Sequence, residues 1–122
     1  MDIRTLTQIP DWITTDALPV SIQIFEVGGS SLMNVHMFLC AFSENGDAFG
    51  LQGTRVAKRV GNGAAALVGA ASLITTQKDL GAATWGASLT LDVDNNMVIT
   101  VTGEAGKTIH WGLAGTITQL SI

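Results

Sequence analysis

"ASLTLDVDNNMVITVTGEAGKTIHWGL", residues 87–113, decides the fold. Leu89, Leu91 and Val93 alternate with Ser88, Thr90 and Asp92, the period of two that a half-buried strand requires. Asp94-Asn95-Asn96 are strong turn formers, and Met97, Ile99 and Val101 then resume the alternation. The two runs read as a β-hairpin. Gly103 to Lys107 reads as the turn of a second hairpin, after which Ile109, Trp111 and Leu113 return in register. Leu89, Leu91, Ile99, Val101, Ile109, Trp111 and Leu113 are expected to share one interior.

Two sequences within this stretch imitate ligand sites, and spacing argues against both. Gly106-Lys107-Thr108 ends like a phosphate-binding loop, but the glycine required five positions before Gly106 is Val101. Such a loop must also open a helix, whereas Thr108-Ile109-His110-Trp111 starts an alternating strand. Asp92-Val93-Asp94-Asn95-Asn96 starts like a calcium-binding loop. Its glycine position holds Met97, and the position of its bidentate glutamate holds Gly103. Both stretches read as turns.

The alternation extends upstream. Residues 20–27, 35–42 and 48–60 read as strands, closed by Gly28-Gly29-Ser30-Ser31, Glu44-Asn45-Gly46-Asp47 and Gly61-Asn62-Gly63. "VHMFLCAF", residues 35–42, is apolar on both faces, so it is either central in its sheet or covered on its outer side by a partner subunit. Residues 64–74, "AAALVGAASLI", suit helix by their alanines and strand by Gly69 and the flanking glycine turns; they are assigned to strand. Near the end the parity shifts: Leu120 and Ile122 fall on the face opposite Ile117. A β-bulge would do this, and so would a second face that meets another subunit. The expectation is an all-β, antiparallel β-sandwich, jelly-roll-like, of about seven or eight short strands over residues 20–122. Residues 1–19, with both prolines and Trp12, are expected to form an extended N-terminal arm that docks elsewhere.

Composition narrows the function. The 122 residues are 47% hydrophobic and only 13% charged, against about a quarter charged in an ordinary soluble domain. So little charge on a small body points to a surface covered by other subunits. A net charge of −4 disfavours nucleic acid, which selects basic faces. The longest apolar run, residues 63–74, is far short of the ~20 residues of a spanning helix, and no secretory leader is seen. Cys40 is the single cysteine, which excludes an internal disulfide and a multi-cysteine zinc site; its apolar run predicts a buried thiol.

No set of residues points to catalysis, a cofactor or a metal. His36 and His110 lie in separate strands without neighbouring ligands at metal spacing, and His110 is the better candidate because it opposes Ile109 and Trp111. Sugar recognition relies on exposed aromatic rings, for which Trp12 and Trp85 are the candidates. No enzymatic activity is expected.

"GAAALVGAAS" (63–72), "GAATWGASLTLD" (81–92) and "NNMVITVTGEAGKTIHW" (95–111) follow one another as in a β module of tailed-bacteriophage virion proteins, of tail-fibre, head-fibre or decoration type. The resemblance covers roughly residues 47–113 and is most specific in Val101 to Trp111. The chain departs from the pattern at Gly86, where aspartate is expected, and in its N-terminal third. The resemblance implies a non-enzymatic virion structural protein, homotrimeric, made in the host cytoplasm. It would attach to the capsid or tail through its N-terminal arm. The alternative it leaves open is a host-glycan-binding receptor module of a tail fibre.

Overall fold

A computed structural model describes residues 1–6 and 12–122 of the chain. Alternating sequence gives strand after strand: β1 (Asp2–Leu6), β2 (Ile13–Thr14), β3 (Val20–Glu26), β4 (Ser31–Ser43) and β5 (Ala48–Arg59). The second half adds β6 (Ala66–Leu67), β7 (Ser72–Lys78), β8 (Gly86–Leu91), β9 (Asn96–Thr102) and β10 (Ile109–Ser121). Leu80–Ala82 form one short 3₁₀ turn. All pairings among the described residues are antiparallel, in two sheets. The larger runs β1-β10-β4-β5-β6, with β2 also on β10 and β7 also on β5; the smaller runs β3-β9-β8. The expected all-β antiparallel sandwich is the observed class. Eight strands, β3 to β10, fall within residues 20–122, as expected; the two further strands, β1 and β2, come from the N-terminal segment.

β4 is the spine of the larger sheet. It pairs with β10 without a break from Ser31↔Ser121 to Ser43↔Ile109, and with β5 from Ser31↔Arg59 to Phe42↔Ala48. Its side chains alternate strictly between buried and exposed. Met33, Val35, Met37, Leu39 and Ala41 face inward with Phe49, Leu51 and Ala57 of β5 and Ile109, Trp111, Leu113 and Ile117 of β10. Leu89, Met97, Ile99 and Val101 of the smaller sheet close the core from the other side. Trp111 sits in the middle, its ring 6.1 Å from that of Trp12 and 6.3 Å from those of Phe49 and Trp85.

The second expected hairpin is not one. β9 pairs only with β3 and β8, and β10 only with strands of the larger sheet, so residues 103–108 form a corner that carries the chain between sheets. Ile99, Val101, Ile109 and Trp111 still enter the same core. Alternation states which face is buried; it does not state whether the next strand pairs with the last or crosses the sandwich. Gly103 lets the corner close, since a Cβ there would press on the Thr14 hydroxyl and the Asp16 carbonyl.

Three further expectations meet the structure here. Residues 64–74 are strand rather than helix, but divided: Gly69, at φ +66°, turns the chain between β6 and the start of β7. β10 keeps register with β4 throughout, so no bulge between them explains the C-terminal parity; Leu120 lies on the outer face, 48% exposed. The N-terminal segment is not a free arm. β1 pairs with β10 from Asp2↔Gln119 to Leu6↔Gly115, β2 adds Ile13↔His110, and Trp12 is buried. Part of the expected arm, residues 7–11, lies outside the described residues.

Candidate functional site

The outer face of the larger sheet follows from the same alternation that builds the core. Leu32, Asn34, His36, Phe38, Cys40 and Phe42 of β4 all point away from the smaller sheet and are exposed. Register sets their neighbours. Phe42 lies between His110 and Ala48, Cys40 between Gly112 and Gly50, and Phe38 between Ala114 and Gln52. His36 lies between two threonines, Thr116 and Thr54, and Leu32 between Leu120 and Lys58. Ile13 beside His110, Ile3 beside Thr118 and Ile74 beside Gln52 widen the face.

A solvated sheet face ordinarily carries polar and charged side chains. Here Lys58 is the one charged residue across these rows of β10, β4 and β5, while Phe38 and Phe42 are 51% and 52% exposed. Contiguous exposed apolar surface is what interaction sites in general present. Phe42 and Cys40 divide two shallow hollows, one reaching Gly50, Thr76 and Gln77, the other His110 and Gly112. Gly112 and Gly50 flank Cys40 in register, and the Thr76 hydroxyl occupies the place of a Gly50 side chain.

Cys40 is therefore exposed, not buried as its apolar run predicts. The run lacks polar residues on both of its faces because β4 is central and its outer side is bare within the chain. The sequence sign of this face was the missing polar alternation in "VHMFLCAF"; Phe38, Cys40 and Phe42 did not stand out as functional residues.

Trp12 and Trp85, expected as exposed ring platforms, are core residues at 6% and 2% exposure. Both pack on Trp111, and the Trp85 indole N–H donates to Glu104 Oε1 at 3.3 Å. Neither ring offers a face to a sugar. The histidines do reach the outer surface but are not brought together: His110 pairs with Phe42, six residues along β4 from His36, whose ring stacks 5.1 Å from Phe38. Among the described residues no three His, Cys, Asp or Glu side chains converge on a possible metal position.

The two turn motifs are structural staples. Lys107 Nζ donates to Asp47 Oδ2 at 3.0 Å and to the Gly81 carbonyl at 2.6 Å, and pairs with Glu104 Oε2 at 3.2 Å. One ammonium thus fastens the β4–β5 turn, the 3₁₀ turn and the β9–β10 corner together. The hydrogen bond to Asp47 raises its pKa above the ordinary lysine value. With two carboxylates beside it, the ammonium is already neutralised and unsuited to a phosphate. Asp92 works likewise in the β8–β9 turn. Its Oδ1 accepts the Asp94 and Asn96 backbone N–H groups at 2.9 Å each, and its Oδ2 accepts from Asn96 and Gln23 side chains. The Asn96 backbone bond is foremost in lowering its pKa, so both oxygens are engaged by the turn itself. No protein-family model and no curated protein matches this chain.

Proposed function

We propose that the chain is a non-enzymatic structural protein that self-associates through the outer face of its larger sheet. The observation that carries the reading is that face: a thirteen-residue central strand with every outward side chain exposed and no charge among them. The resemblance of residues 47–113 to a virion β module extends the proposal to a bacteriophage decoration or fibre-type subunit, assembled as a homotrimer.

From β1 through β10, β4 and β5 to β7 the face is five strands wide, about 19–24 Å at ~4.8 Å per strand, and a homotrimer would turn three such faces towards one axis. Glycan recognition loses its candidate rings, since Trp12 and Trp85 lie in the core.

Mass spectrometry of phage particles released from the host that encodes the chain tests the virion reading. The chain should be found in the particle fraction in fixed proportion to the major capsid protein. Its absence from purified particles would overturn that reading.

A further inference from the structure

Resting on the self-association reading, we infer that copies meet β4 to β4, with Cys40 at the centre of the contact and Phe38 and Phe42 as the two apolar layers flanking it. The occupant of the outer face is a second copy of this chain.

Cys40 lies towards the C-terminal end of β4 with a phenylalanine on each side. Phe38 and Phe42 stand two residues to either side of Cys40, so about 13 Å separates them along the strand at ~3.3 Å per residue. Between them Cys40 is flanked by Gly112 on β10 and Gly50 on β5, with low ground beside the thiol on the Gly112 side. The three-fold arrangement proposed above would bring the Phe38 rings of the copies to one level and their Phe42 rings to another, with the thiols between. The hollow beside Gly112 leaves room for a neighbour's side chain, whereas the Gly50 side is taken up by the Thr76 hydroxyl.

Charge favours the same occupant. The molecule carries a net −4, yet the face contributes only the single cation Lys58 at its rim. Copies therefore meet without bringing like charges together at the centre, whereas a strongly charged partner would find nothing to pair with. Charged residues are depleted and aromatic residues enriched at interface centres in general. The area is also sufficient. Thirteen residues of β4 by four strands gives roughly 600–800 Å² per copy from strand dimensions, near the ~800 Å² that each partner buries in a standard stable interface. The apolar depression lined by Leu32, Val60, Leu120 and Ile122 continues the face beyond its last row.

The test uses the full chain at micromolar concentration. Mild oxidation with copper phenanthroline should join two Cys40 thiols, each losing its proton and one electron to the oxidant, as the S–S bond forms. The expected product is a covalent dimer on a non-reducing gel, absent from Cys40→Ser. Phe38→Asp and Phe42→Asp should each shift the assembled mass to that of the monomer with unchanged far-ultraviolet circular dichroism. If either variant fails to fold, alkylation of Cys40 in the wild-type protein still decides. The maleimide rate should fall at least tenfold from dilute to concentrated protein. An assembled wild type with no Cys40 cross-link, no Cys40 protection and Phe38→Asp still assembled would place the interface elsewhere and leave self-association standing. A wild type that is monomeric at every concentration would overturn both.

Discussion

The indole N–H of Trp111 donates to the hydroxyl of Thr14 across 2.9 Å, in a buried bond that spans almost the whole sequence. The Trp111 backbone N–H also donates to the Trp12 carbonyl at 2.9 Å. These two bonds tie the N-terminal segment into the edge of the larger sheet beside the centre of the core. Thr14→Val keeps the shape and removes the acceptor, leaving a buried indole N–H without a partner, at a cost of about 1–3 kcal/mol. Thr14→Ser keeps the oxygen and should cost less. Urea unfolding of the two variants checks the order.

Trp111 is the hub of the aromatic cluster and only 2% exposed. Trp111→Ala should destabilise the fold by about 3–5 kcal/mol, from lost burial and the cavity left among Trp12, Phe49 and Trp85. Equilibrium denaturation followed by far-ultraviolet circular dichroism measures it.

Gly115 of β10 lies against the backbone of β4. An added Cβ would run into the His36 carbonyl oxygen and the Met37 Cα, backbone atoms that cannot swing aside. Gly115→Ala should therefore cost 1–3 kcal/mol, roughly the range of overpacked sites, or more. Gly86→Ala is the control, since its Cβ would meet nothing within 4 Å. The pair of thermal midpoints should differ clearly, with Gly86→Ala near wild type.

Asp92 and Lys107 set opposite limbs of the pH profile. The Asp92 pKa is lowered on folding from 3.8, so its contribution is complete above that value and disappears as pH falls through the folded one. The Lys107 pKa is raised from 10.5, so its contribution is complete below that value and is lost as pH rises through the folded one. Asp92→Asn should flatten the acid limb of the melting-temperature profile and leave the alkaline limb. Lys107→Met should flatten the alkaline limb only. Thermal melts across the pH range read both.

The core was legible wherever a strand buries one face and wets the other. Leu89, Ile99, Val101, Ile109, Trp111 and Leu113 all lie where the alternation puts them, and Leu91 packs against them half-buried. What alternation could not supply was partnership. β9 and β10 look like hairpin strands in sequence but stand in different sheets, because residues 103–108 serve equally as a turn or a corner. The edge strand β1 finds its partner more than a hundred residues away on β10, so no local pattern announces it. The outer face was half legible: an apolar run without polar alternation marked residues 35–42 as central in the sheet or covered on the outer side by a partner. Reading Cys40 as buried followed from the apolar run alone, which does not say which of its residues face outward; register places Cys40 on the exposed side, between two glycines and two phenylalanines.

The central claim is that this face exists to meet its own kind. Sedimentation velocity of the purified wild-type chain over a range of micromolar concentrations tests it most directly. Trimeric assembly gives a species three times the 12.7 kDa chain mass, converted towards monomer by Phe38→Asp. A single species of 12.7 kDa at every concentration would contradict it.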